Sequence, residues 1–224
     1  MCFLSIKIKL KENIMKVLLV NGSPNKNGCT NTALEEVANT LNDEGIESEI
    51  YWIGNKPISG CIACRKCAEK GKCVIDDNVN DFVDRAQAAD GFVFGSPVHY
   101  AAAGGAITSF LDRAFFSAKQ SGRNYFYLKP GACIVSARRA GTTTTFDQLM
   151  KYLTISEMPV ISSRYWNMVH GLNPEEVKKD LEGLQIMRVL GRNMVWFLKC
   201  KKAGEKAGVP LPRTEEIIAT NFIR

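Results

Sequence analysis

Cys61, Cys64 and Cys67 stand at intervals of three residues, and Cys73 follows in a nearby Gly-containing turn. Thiolates at this spacing can wrap a compact iron-sulfur cluster, whose negative charge Lys66, Lys70 and Lys72 would moderate. Two other readings stay open. Structural zinc sites usually set two Cys-x-x-Cys-type pairs on separate turns, and an excursion with no metal could serve as a lid over a neighbouring ligand.

A second constellation precedes it. The apolar run Val17-Leu18-Leu19-Val20 passes into Asn21-Gly22-Ser23-Pro24-Asn25-Lys26-Asn27-Gly28-Cys29-Thr30 and then into a helical pattern. Ser23 and Thr30 offer hydroxyls, Gly22 and Gly28 let the backbone turn tightly, and a helix starting near Cys29 turns unpaired N–H groups and its positive dipole end toward the loop. That is a site for a phosphate monoester. The loop is neither Gly-x-Gly-x-x-Gly nor a P-loop ending in Gly-Lys-Ser/Thr, so a dinucleotide or ATP suits it poorly and a mononucleotide such as FMN suits it better. An ordinary strand-turn-helix with a Ser-Pro turn is the plainer alternative.

Two more loops share this character. Gly95-Ser96-Pro97-Val98-His99-Tyr100-Ala101-Ala102-Ala103-Gly104-Gly105-Ala106 is rich in small residues that let a flat ring lie against backbone, with His99 or Tyr100 to edge or stack on it. Ser136-Ala137-Arg138-Arg139-Ala140-Gly141-Thr142 carries backbone donors and two guanidinium groups suited to the electron-rich end of a flavin. Taken singly, Tyr100 could cap a core, His99 satisfy a carbonyl and the arginines be solvated; three such loops after three strands of one sheet favour a flavin pocket.

The elements that must position these loops alternate. Strands are expected at 16–20, 47–53, 91–94, 131–135 and 160–163, with helices at 30–42, 81–89, 106–118 and 145–155, and a long helix opening at Asn173-Pro174-Glu175-Glu176. This predicts an α/β fold, a doubly wound parallel sheet of five strands with right-handed crossovers and a cysteine-rich excursion after the second strand. Ligands of such sheets sit beyond the carboxyl ends at the switch point, between the first and third strands in the flavodoxin-like order. The 224 residues, 46% of them apolar, suit one domain over 15–202. Residues 1–14 form an extension that could be a basic edge strand, a translated upstream stretch or a disordered arm, and 203–224 read as a linker tail with a short helix from Thr214. With no long apolar span or secretory leader, a cytoplasmic protein without membrane contact is expected. Eight cysteines then argue for metal or redox chemistry over disulfides. The net charge of +6 is spread over the chain, which favours a solvated surface over nucleic-acid binding.

Gly-Ser-Pro-x-Lys-x-Gly-x-Thr at 22–30, Gly-Ser-Pro-Val-x-Tyr at 95–100 and Ser-Phe-Leu-Asp-Arg at 109–113 resemble, in this order, the NADPH-dependent FMN reductases of the flavodoxin-like superfold. The cysteine spacing is similar to that of the iron-sulfur flavoproteins, a branch of the same superfold. The resemblance implies FMN held by its phosphate at Ser23, Asn25, Cys29 and Thr30, its ring along Pro97, Val98, His99 and Tyr100. It further implies a homodimer or homotetramer with the flavin near a subunit boundary. One departure is Cys29, where many relatives have Asn; its weakly donating thiol leaves phosphate binding to its backbone N–H. The expected activity is an oxidoreductase that takes electrons from NAD(P)H and passes them to a quinone, nitro compound, free flavin or protein acceptor, singly through the [4Fe-4S] cluster that the resemblance implies where one is bound. Tyr100 and Trp166 are candidates for the substrate side, and Arg138 or Arg139 for stabilising the reduced flavin. A flavin-based electron carrier fed by a protein donor is the alternative, with a Cys-knuckle nucleic-acid binder behind it. The knuckle lacks the interleaved aromatics that stacking on single strands requires.

Overall fold

The computed structural model describes residues 14–220 and Phe222; the expected N-terminal extension lies outside them except for Ile14. β1 (Lys16–Asn21), β2 (Glu47–Trp52), β3 (Gly91–His99), β5 (Gly131–Ala137) and β6 (Met168–His170) form a parallel sheet in the order β2-β1-β3-β5-β6. The sheet has six strands where five were expected, because β4 (Ala102–Ala103) folds back antiparallel onto the end of β3. Alternate residues of each central strand face opposite sides, as the two-residue strand period requires. Leu18, Val20, Phe92, Phe94, Cys133 and Val135 join α3 (Asn78–Ala86), α4 (Gly105–Gln120) and α5 (Thr142–Ile155) in one core. Val17, Leu19, Val93, Ala132 and Ile134 pack on α1 (Cys29–Asp43) and α7 (Leu181–Lys206) in the other. Two short helices complete the chain, α2 (Cys67–Lys70) and α6 (Pro174–Val177).

Glycines bring β1 and β3 together at the carboxyl end of the sheet. The Gly22 N–H donates to the Gly95 carbonyl at 2.9 Å, and a Cβ on Gly22 would stand 2.7 Å from that oxygen and from Ile107. The loops after the first and third strands can therefore meet only if position 22 lacks a side chain.

Three expectations are corrected. The fifth strand does not run over 160–163: Val160 makes only an isolated bridge to Gly131, the chain then leaves the ladder, and it returns as β6 at Met168. Asn167, 1% exposed, closes the gap, its carbonyl accepting from the Val135 N–H at 2.9 Å and its amide donating to the Cys133 carbonyl at 3.1 Å. The long helix from Pro174 is two helices, because Asp180 accepts from the Gly183 N–H at 2.9 Å as a new N-cap and from the His170 N–H at 2.7 Å. Finally, α7 continues through Lys206, and no helix opens at Thr214. Among the described residues no helix is long and apolar enough to cross a membrane.

Candidate functional site

The carboxyl ends of β1, β3, β5 and β6 open onto a cleft of about 390 Å³. Its wall takes Ser23, Asn25, Gly28 and Cys29 from the first loop, Pro97, Val98 and His99 from the end of β3, and Ser136 and Arg138 from β5 and the turn after it, all expected from the sequence. Ala137, from the same expected loop, and the Gly171-Leu172-Asn173-Pro174 segment complete it, and the latter was not expected. That segment follows β6, and misplacing the fifth strand hid that it must end at the same edge of the sheet.

The first loop is held from within. Asn21 is fully buried; its side-chain carbonyl accepts from the Ser23 N–H at 3.0 Å, and its amide donates to the Lys26 carbonyl at 3.0 Å and to Asn31 at 3.2 Å. The Asn25 N–H donates to Ser23 Oγ at 3.1 Å, and the Trp52 indole donates to the Ser23 carbonyl at 2.8 Å. Asn21 was missed, although a polar residue ending an apolar strand at the start of a tight loop is the signal for it. The N-cap of α1 is Gly28, with no side-chain cap and no acid in the first turn. The first N–H groups of α1 thus remain free for a ligand in the cleft, whose wall carries Arg138 and no carboxylate. Burial, with Glu176 nearby, pushes the Cys29 thiol above its ordinary range, and its Sγ points at the Gly171 carbonyl at 3.6 Å. The thiol is a neutral wall element.

Several expected residues stand elsewhere. Thr30 is 1% exposed and lies beneath the cleft, because its hydroxyl is 2.8 Å from Ser136 Oγ. Gly104 caps α4, its N–H donating to Ser96 Oγ at 3.2 Å, while Gly141, at φ +93, caps α5 against Ala101 and Val98. Arg139 is exposed and off the cleft wall. Tyr100 stands outside the cleft wall, next in the chain to His99. With Ala101 it adopts positive φ, which throws its ring fully into solvent. Trp166 sits on the detour before β6, half-exposed and packed edge-on against Tyr165 at 4.7 Å, away from the cleft.

The cysteine excursion folds between β2 and α3. Positive φ at Ala63 and Arg65 turns the chain on either side of Cys64, and Gly71 ends α2 at φ +70. Cys61, Cys64, Cys67 and Cys73 then line one small apolar pocket with Ile75 and Phe116. Cys61 and Cys64 are exposed; Cys67 is 6% exposed, and burial, with Cys73 and Cys64 as neighbours, pushes its thiol up. The Arg113 Nε–H points at Cys73 Sγ at 3.4 Å. Among the described residues no three His, Cys, Asp or Glu side chains are drawn together tightly enough for a metal ion. The four thiols nonetheless share one pocket wall, a donor set that fits a polynuclear cluster, whose ligands stand farther apart than those around one ion.

A parallel sheet in this order, with helices on both faces and a ligand cleft at its carboxyl end, defines the flavodoxin-like class. The family model described as NADPH-dependent FMN reductase matches residues 15–173, and the chain belongs to that family. An iron-sulfur flavoprotein of Methanocaldococcus jannaschii is 32% identical over 197 residues, which cover 84% of this chain and 100% of that protein. Among solved structures, RosB with bound 8-demethyl-8-formylriboflavin-5'-phosphate superposes with a TM-score of 0.66 at 14% identity, covering 94% of each chain. A flavodoxin from the domain Archaea superposes at 0.56 with 16% identity, covering 83% of this chain and 99% of that one.

Proposed function

We propose that this chain is an FMN-dependent oxidoreductase that accepts electrons from NAD(P)H and delivers them to a quinone, nitro compound, free flavin or protein acceptor by way of an iron–sulfur cluster. The observation that carries the reading is the uncapped start of α1, which presents free N–H groups to a cleft whose wall holds Arg138 and no acid. A dianionic phosphate is the natural guest of such a site. Ser23, Asn25, Gly28 and Cys29 would hold it, with Pro97, Val98 and His99 along the ring and Arg138 near its electron-rich end. Bound FMN supplies the redox chemistry, exchanging electrons in pairs or singly, while the protein fixes its orientation and surroundings. Cys61, Cys64, Cys67 and Cys73 would ligate the cluster. The exposure of Cys61 and Cys64 supports electron delivery at the molecular surface. We place the active form as a homo-oligomer, a reading supported by the exposed Tyr100 ring beside the cleft loop.

The phosphate assignment is tested by flavin selectivity. Apoprotein titrated with FMN and with riboflavin should bind FMN at least about a hundredfold more tightly, some 2.7 kcal/mol, because the phosphate supplies the charge-assisted bonds. Equal affinities would remove the phosphate site from the account.

A further inference from the structure

Arg113, on α4, carries a permanent charge yet is 1% exposed. All three of its nitrogens are engaged. Nη1 and Nη2 donate to the two carboxylate oxygens of Asp77 at 2.6 and 2.8 Å, Nη2 also to the Ile75 carbonyl at 2.9 Å, and Nη1 also to the Ser59 carbonyl at 3.4 Å. Ser59 precedes the first of the four cysteines, and Ile75 and Asp77 follow the last, so one side chain ties both roots of the excursion. The bidentate Asp77 contact already compensates the charge. The remaining donor, Nε–H, is directed at Cys73 Sγ at 3.4 Å, and Arg113 itself lines the cysteine pocket.

We propose that Arg113 is a positioning residue for the iron–sulfur cluster: it holds Cys73 in place as a ligand and, through its N–H···S bond, raises the reduction potential of the cluster. The proposal rests on the reading that the four cysteines bind a cluster. An electron arriving there adds negative charge, and a hydrogen-bond donor and positive group at a ligating sulfur favour the reduced form. Asp77 acts in the opposite sense, because its carboxylate opposes the field of the guanidinium. The two members of the pair should therefore move the potential in opposite directions. A pair that merely braced the loop would have no such sign.

The test uses the full chain, reconstituted anaerobically with iron and sulfide, as wild type and as Arg113→Gln, Arg113→Lys and Asp77→Asn. Flavin loading reports folding, iron per chain reports the cluster, and a spectroscopic redox titration gives its midpoint. Arg113→Gln should lower the ratio of reduced to oxidised cluster at a fixed potential about tenfold, or about 59 mV for one electron. Asp77→Asn should raise the midpoint, and Arg113→Lys, which keeps the charge without the planar fork, should fall between Arg113→Gln and wild type. Should Arg113→Gln lose its flavin or iron, the upward shift in Asp77→Asn carries the proposal and an unmoved midpoint there overturns it. Shifts of the same sign in Arg113→Gln and Asp77→Asn, or unmoved midpoints with iron retained, overturn it as well. Wild-type protein that takes up no iron would instead overturn the cluster reading, and this proposal with it; iron in the wild type with unmoved or same-sign midpoints in the variants overturns this proposal alone.

Discussion

At the cleft, neighbouring hydroxyls have different tasks. Ser23 lines the wall, so Ser23→Ala should weaken FMN binding by about 1.5 to 3 kcal/mol, roughly ten- to a hundredfold, and leave riboflavin nearly unaffected. Thr30 lies beneath the wall and supports Ser136. Thr30→Val should lower stability by about 1 kcal/mol in urea unfolding and weaken FMN and riboflavin alike, because what it removes is the partner of a buried hydroxyl. A phosphate-selective loss in Thr30→Val would contradict its placement. Residue type alone could not separate these two, since both precede or open a helix in the same loop; the separation comes from which β5 side chain arrives opposite. The outward placement of Tyr100 was illegible for a related reason. Its aromatic character suited a flavin, but two consecutive residues at positive φ aim it outward, and that backbone state leaves no mark in the composition of the loop.

At the scale of elements, the meeting of β1 and β3 depends on the absence of a Cβ at position 22. Gly22→Ala would push against the Gly95 carbonyl and Ile107, and should cost about 1 to 3 kcal/mol of stability together with flavin affinity, measured by unfolding and by flavin retention. The edge strand β2 is pinned differently, by Lys16 to Glu49 at 2.7 Å and Arg85 to Glu49 at 2.8 Å. The Lys16 hydrogen bond holds the Glu49 carboxyl below its ordinary range against its partial burial. A depressed carboxyl stabilises the fold above its unfolded pKa of about 4.3, and the contribution disappears as pH falls through the folded value. Glu49→Gln should thus cost about 0.5 to 1 kcal/mol at pH 7, with the difference from wild type closing in acid; a gap that persists at low pH would show that packing, not charge, is at work. Strands β1, β3 and β5 were legible because each holds an apolar run bounded by polar loops, and β2 because Ile50-Tyr51-Trp52 follows directly on its polar opening. β6 was not. Val160-Ile161 has strand composition and does touch Gly131, but the ladder is carried onward by Asn167, a polar residue whose strand role depends on a buried amide bond that exists only once β5 is in place. The break at Asp180 was hidden in the same way, since a favourable N-cap inside a helical run shows itself only when His170 presents an N–H to it.

Across the molecule, the flavin cleft and the cysteine pocket draw on different segments, the strand-end loops for one and the excursion after β2 with α4 for the other. Replacing any one of Cys61, Cys64, Cys67 or Cys73 by Ser should therefore abolish the brown cluster absorption and the roughly four irons per chain while the yellow flavin stays bound. Loss of both cofactors together would show that the excursion is part of the flavin site. The convergence of the four cysteines was legible from their spacing; the buried Arg113 beneath them was not, because an arginine on an amphipathic helix reads as solvated until its carboxylate and carbonyl partners are brought to it.

The central claim is that NAD(P)H reduces FMN held in this cleft. It is tested most directly by anaerobic titration of the FMN-loaded protein with NADPH and with NADH while the visible spectrum is recorded. The account predicts that at least one of them bleaches the bound flavin and that admitting an electron acceptor restores the yellow colour. Bound FMN that stays yellow with both nicotinamides, yet is bleached by dithionite, would contradict the account and leave a flavin carrier fed by another protein.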